Sequence, residues 1–264
     1  MINAMVKTFS IAHQDDSDSH LGQALVYNAG RLAWRIRESG LKTQQKTSVS
    51  DVVTQADHAA ENFVVGVLEN LRPDDGVQGE EGHNKEGSSG RNWIIDPVDG
   101  TYNFANGSDY FCSALALAKG KNPVFGAVHR PAMGYTWFGG PDIPTTRDGK
   151  EVRVMDNAPL SQRCLATYLH PDYFNTAIAQ SWSAVVSGAA SIRMLGAGSI
   201  DLASVADGSI GGWMQHSVPT WDWLPGKALV LGAGGVCSRI DAGGVMWNLA
   251  GSEEVVRDME ERLL

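Results

Sequence analysis

The chain of 264 residues sets 21 Lys and Arg against 30 Asp and Glu, a net charge of -9, which argues against the basic face a general nucleic-acid binder needs. Its length suits one large domain or two closely packed lobes with a substantial core, and no stretch approaches the roughly 20 apolar residues that span a bilayer. Three well-separated cysteines, Cys112, Cys164 and Cys237, sit in apolar or strand-like contexts and predict free buried thiols rather than disulfides or a zinc site, which suits a reducing, cytoplasmic compartment.

Residues 1–20 lack the apolar core of a signal peptide and end in the polar run HQDDSDSH (13–20). They read as a mobile tail rather than a metal-binding tract. From Leu21 onward Leu25, Ala29, Leu32 and Ile36 recur at helical spacing, with Gly40 as a stop and Arg31, Arg35 and Arg37 on the wet side. In KTSVSDVVTQAD (46–57) Thr54 stands three residues before Asp57, the spacing of a capping box. A helix is predicted from about Ala56, with Ala60, Phe63, Val64, Val67 and Leu71 inward and its end before Pro73. Asp57 then has a structural reason to be there, because the helix dipole favours an acid in the first turn. Asp51 and Lys46, in the preceding loop, have no such reason.

The stretch GVQGEEGHNKEGSSGR (76–91) is rich in Gly and Ser and reads as a flexible loop, with Glu80 and Glu81 its only adjacent acids. It leads into WIIDPVDGTYNF (93–104). Residues 93–95 form a buried strand that Asp96-Pro97 is expected to end, since proline cannot donate to a ladder. Asp96 and Asp99 then lie three positions apart on a turn, and Thr101 begins a helix. Carboxylate oxygens and the carbonyl of Val98 suit Mg²⁺, while the amides of Gly100 and Thr101 suit a phosphate oxygen. An ordinary capped strand-turn-helix carries the same residues, so the motif needs support from the rest of the chain.

Residues 110–118, 124–128 and 135–138 read as an antiparallel meander. The polar segment 141–157 is the expected boundary between an N-terminal lobe (21–150) and a C-terminal lobe (151–264). Beyond it, strands at 164–169, 192–195 and 210–214 alternate with a helix at 199–206, a layered α/β pattern. The glycine clusters at 196–199 and 232–235 complete neither GxGxxG nor a Walker A sequence and read as turns. In SVPTWDWLPGKALVLGAGG (217–235), Trp221-Asp222 opens a helix.

Together, DVVTQAD (51–57), GEEG (79–82) joined to WIIDPVDGTYNF, and WDWLPG (221–226) resemble, in order and separation, the inositol monophosphatase-like family of metal-dependent, lithium-sensitive phosphatases. The resemblance covers nearly the whole chain from about residue 20. It implies a five-layer αβαβα sandwich, a homodimer, and two or three Mg²⁺ per site. Glu80, Asp96 and the Val98 carbonyl would hold the first ion, Asp96, Asp99 and Asp222 the second, and Glu80 again a weaker third. It also implies that Thr101, positioned by Asp51, orients and activates the attacking water together with Glu80. Asp57 would support the metals, and Lys46 would sit on the mobile loop covering the site. Gly100, Thr101, Gly198, Gln215 and His216 are the expected substrate contacts. The resemblance implies an inositol 1-phosphate-like substrate, with histidinol phosphate as the alternative, then adenosine 3',5'-bisphosphate or fructose 1,6-bisphosphate; Gln215 departs from the glutamate that inositol-specific members carry there. A non-catalytic binding subunit is the reading from another class. A cationic substrate would require an acid nearby, which Asp201 or Asp207 could supply.

Overall fold

The computed structural model describes residues 2–40, 43–45 and 52–264. In chain order the elements are α1 (Ile2–Ala12), α2 (Asp18–Glu38), β1 (Thr43–Gln45), β2 (Val52–Thr54), α3 (Gln55–Leu71), β3 (Gly76–Gly79), β4 (Asn84–Lys85), β5 (Arg91–Asp99) and α4 (Thr101–Ala105). There follow β6 (Cys112–Lys119), β7 (Asn122–Arg130), β8 (Tyr135–Gly140), β9 (Ile143–Arg147), β10 (Lys150–Glu151), β11 (Cys164–Thr167), α5 (Ala177–Val186) and β12 (Ser191–Arg193). The chain closes with α6 (Gly198–Ala206), β13 (Gly212–His216), α7 (Thr220–Gly232), β14 (Val236–Ala242), β15 (Val245–Gly251) and α8 (Glu253–Leu263).

Apolar periodicity explains the layering. The strand β6 is buried along nearly its whole length, and its side chains alternate in size as they alternate in direction. Leu115 and Leu117 pack with Leu21, Leu25 and Phe63 of α2 and α3. The small residues Ala114, Ala116 and Ala118 face Leu202, Val205, Leu229 and Val230 of α6 and α7. Those two helices lie between an eight-stranded sheet, ordered β10-β9-β8-β7-β6-β5-β3-β4, and a five-stranded sheet, ordered β12-β11-β13-β15-β14. On the far side of the second sheet, Val185, Val256 and Met259 of α5 and α8 cover Leu165, Met214 and Leu249. The result is the expected αβαβα order. Close packing of the middle layer depends on Gly126, where a Cβ would fall 2.1 Å from the Pro225 carbonyl of α7.

Several local expectations change. The first residues are not a tail: α1 packs on α3, with Phe9 edge-on to Phe63 at 5.2 Å. Arg37 is not simply wet, since its guanidinium lies over Trp34, Phe104 and Phe111 and donates to the Ser108 carbonyl. The glycine-rich segment contains β3, which pairs in parallel with β5. Nor does Pro97 end its strand. Register shifts between Asp96 and Asp99, which pair with Ala114 and Cys112, so Pro97 and Val98 oppose Ser113 alone, and a bulge is where a proline can be tolerated inside a strand. Residues 143–151 are not an irregular polar segment, since β9 and β10 extend the first sheet. The hairpin of β14 and β15 and the final helix α8 had no assignment from pattern. All three cysteines are free thiols, with Cys112 buried. Among the described residues, no helix is long and apolar enough to cross a membrane.

Candidate active site

The bulge in β5 forms the floor of a cleft of about 850 Å³ that opens between the two sheets. Gly100 adopts φ +87°, and a Cβ there would meet the Tyr110 carbonyl and the Ala197 Cβ at 3.0 Å. Only glycine makes this turn without strain. Thr101 begins α4 directly after it. Its Oγ1 lies 2.8 Å from the Val98 carbonyl and 3.2 Å from Asp57 Oδ1. The other oxygen of Asp57 accepts from the backbone N–H and hydroxyl of Thr54, completing the capping box. One carboxylate therefore both caps α3 and reaches the first residue of α4. Burial pushes its pKa up to about 6.

Glu80, Asp99 and Asp222 line the cleft, with Gly100, Thr101 and Gly198 beside them. Asp96 lies just beneath and is only 2% exposed. Its pKa stands well above the usual carboxylate range, first because burial removes water, then because the charges of Glu80, Asp99 and Asp222 oppose ionisation and its carboxyl hydrogen-bonds with that of Glu80. Asp99 is raised by burial too, and this is partly offset by hydrogen bonds from the start of α6, including Ser199 N at 2.5 Å. Four acids drawn from β5, the loop after β3 and the first turn of α7 thus act on one another through space. As they stand they are not a finished cage: among the described residues, no three His, Cys, Asp or Glu side chains are spaced to hold an ion together. The donor set is nonetheless all oxygen, crowded and anionic, which is the chemistry that hard divalent cations select and neutralise.

The loop bearing Glu80 is held from below. Glu61, on α3 and buried, accepts from Glu81 N at 2.9 Å and His83 N at 3.2 Å. Gly79 makes room, since a Cβ there would fall 2.2 Å from Glu61 Oε2. On the opposite wall, Asn103 Nδ2 donates to the Leu195 carbonyl at 2.7 Å and the Tyr110 carbonyl at 3.0 Å, tying α4 to the segment that enters α6.

The profile of the Inositol monophosphatase family matches residues 17–262. The chain belongs to this family. It is 31% identical over 232 residues to a fructose-1,6-bisphosphatase/inositol-1-monophosphatase of Aquifex aeolicus, covering 83% of this chain and 81% of the relative. To an inositol-1-monophosphatase of Rhizobium meliloti it is 30% identical, with 80% and 82% covered. The crystal structure of the extragenic suppressor protein suhB from Bartonella henselae superposes with a TM-score of 0.85 at 26% identity, covering 92% of this chain and 97% of that one. As a member of the inositol monophosphatase family the chain is a phosphoric monoester hydrolase, and dependence on metal is general in the family.

Within this inositol monophosphatase fold, the expected residues separate into three groups. Glu80, Asp99, Gly100, Thr101, Gly198, Gln215 and Asp222 line one cleft, with Asp96 and Val98 buried beneath it. Lys46 and Asp51 lie outside the described residues. His216 departs from expectation: it is not among the residues lining the cleft, because its ring packs edge-on against Tyr173 and Trp247. Burial holds its pKa down. Among the described residues, the side chain that meets the Thr101 hydroxyl is Asp57. Sequence reasoning passed over Glu61 altogether, although it stands four residues after Asp57 and so on the same face of α3.

Proposed function

We propose that this cleft hydrolyses a small phosphorylated alcohol of the inositol 1-phosphate type with Mg²⁺, by attack of water on phosphorus. The observation that carries the reading is the convergence of Glu80, Asp96, Asp99 and Asp222 beside Gly100 and Thr101 at the floor of one open cleft. Glu80, Asp96, Asp99, Asp222 and the Val98 carbonyl would hold the cations. When bound, these supply charge neutralisation on the phosphoryl oxygens, a more acidic water and stabilisation of the departing alkoxide. The side chains do the rest. Thr101 has one hydroxyl hydrogen and two acceptors within reach, Val98 O and Asp57 Oδ1, so a lone pair remains to take a hydrogen bond from a water in the cleft. Glu80 is assigned the proton that this water loses. The water oxygen bonds to phosphorus, the ester P–O bond breaks, and the alcohol leaves as it regains a proton. Backbone donors of Gly100 and Thr101 are assigned to the phosphoryl oxygens, and Gln215 to the alcohol side of the cleft.

An acid, Asp201, also lines the cleft, and this favours histidinol phosphate as the second reading. Inhibition by Li⁺ and a homodimer, measurable by light scattering, belong to the same proposal through the family resemblance. The test is phosphate release from inositol 1-phosphate, histidinol phosphate, fructose 1,6-bisphosphate and adenosine 3',5'-bisphosphate, with Mg²⁺ and with chelator. Mg²⁺-dependent turnover with a preference for inositol 1-phosphate is expected. Absence of metal-dependent release from all four would overturn the reading.

A further inference from the structure

Two acids on or just after α6 have opposite fates. Asp207 is engaged on every side, accepting from Trp137 Nε1 at 3.1 Å, Arg147 Nη1 at 2.7 Å and the backbone and hydroxyl of Ser209. It is absent from the cleft. Asp201 is only 3% exposed yet lines the cleft. It accepts one side-chain hydrogen bond among the described residues, from the Tyr110 hydroxyl to Oδ1 at 2.6 Å. The ring of Tyr110 is itself held, with the Arg130 guanidinium 4.7 Å above its centre.

A carboxyl group offers about four acceptor positions, and one removed from water normally gathers several donors. Asp99, its neighbour in the same cleft, is met by both Ser199 N and the Cys112 thiol. Asp201 is met by one donor and keeps acceptor capacity at the cavity wall. We propose that Asp201 is the specificity-determining acceptor of this cleft, binding a hydroxyl or ammonium donor on the alcohol portion of the substrate, and that Tyr110 is the residue that positions it. The assignment rests on the phosphomonoesterase reading above and narrows it to alcohols that carry a donor besides the ester oxygen.

The substitution Asp201→Asn keeps the shape. Its carbonyl would stay with the Tyr110 hydroxyl, so its NH₂ would face the substrate, setting donor against donor. Tyr110→Phe removes the tether without touching the substrate. Both are compared with wild type on inositol 1-phosphate (hydroxyl donors), histidinol phosphate (an ammonium) and p-nitrophenyl phosphate (no donor on the leaving group). Wild type should prefer a donor-bearing ester over the aryl ester. Asp201→Asn should lose about 10-fold or more in kcat/KM on that ester, mainly through KM, and stay within about twofold on p-nitrophenyl phosphate. Tyr110→Phe should show the same selectivity to a smaller degree, and it carries the test if Asp201→Asn fails to fold. Equal losses on all three esters would reduce Asp201 to a structural role, and unchanged discrimination in both variants, or a wild-type preference for the aryl ester, would overturn the assignment. Those outcomes leave the phosphatase reading standing, whereas a wild type that hydrolyses none of the three removes both.

Discussion

Replacing Glu61 should loosen the loop that carries Glu80 without touching the reaction centre itself. Glu61 accepts two backbone N–H groups, at 2.9 and 3.2 Å. In Glu61→Ala both donors lose their acceptor, at roughly 1–3 kcal/mol each when water is excluded. Glu81 and His83 are half-buried rather than sealed, so water recovers part of this, and a loss of about 2–4 kcal/mol is expected. For a chain of this length that corresponds to a fall in Tm of about 4–8 °C. Glu61→Gln is the sharper variant. It preserves volume, but its amide NH₂ replaces one of the two accepting oxygens and is set against a backbone N–H. If Glu61 acts by filling space, Gln is harmless; if it acts as a double acceptor, Gln forfeits at least half the effect. Thermal unfolding and the Mg²⁺ concentration for half-maximal phosphate release are measured together. A lower Tm and a several-fold higher Mg²⁺ requirement are expected for Gln. A Gln variant with the Tm and Mg²⁺ dependence of wild type would refute the reasoning.

Thr101→Val keeps the shape and removes the hydroxyl, so kcat at saturating Mg²⁺ should fall about 10²-fold or more, while Thr101→Ser retains most activity; a Val variant within a few fold of wild type would dismiss the hydroxyl's role. Asp96→Asn should abolish turnover with the fold kept. Because it removes one charge from a mutually repelling group, the metal-free variant should be at least as heat-stable as wild type, yet lack the stabilisation of about 2.7 kcal/mol that a ligand at 100 times its Kd confers on the native state. Retained activity would count against the cage. Asp57 and Asp201, raised by burial to about 6 and about 7, bind their protons more tightly folded than unfolded. Their contribution to stability therefore declines as pH rises from about 4 through about 7. His129, held by burial at about 4, acts oppositely, its contribution being lost as pH falls from 6.5 toward 4. In urea unfolding of the metal-free protein, Asp201→Asn should gain on wild type as pH rises from about 4 to about 7; a difference that stays constant with pH would refute this.

Much of the architecture was legible because it is periodic. The apolar faces of α2 and α3 and the alternating strands β6 to β8 follow from local spacing, since a helix or half-buried strand must present one side to a core wherever that core lies. The chemical character of the site was legible for a related reason: acids in WIIDPVDGT and a glycine at the turn state which atoms are available. What the local pattern could not reveal is what each residue approaches from a distance. The capping box accounts for one oxygen of Asp57 from local spacing, and only the packing of α4 beside α3 brings Thr101 to the other. Pro97 looked like a strand end because the bulge that accommodates it exists only in register with β6. Likewise, nothing local distinguishes Asp201 from Asp207, or Gln215 from His216. Sequence by itself therefore determined the strongly periodic elements, the family and the oxygen-rich donor set. The seating of α6 and α7 between two sheets decided which acids meet, which face the cleft and which are consumed in structure, because burial and through-space charge arise between residues far apart in the chain.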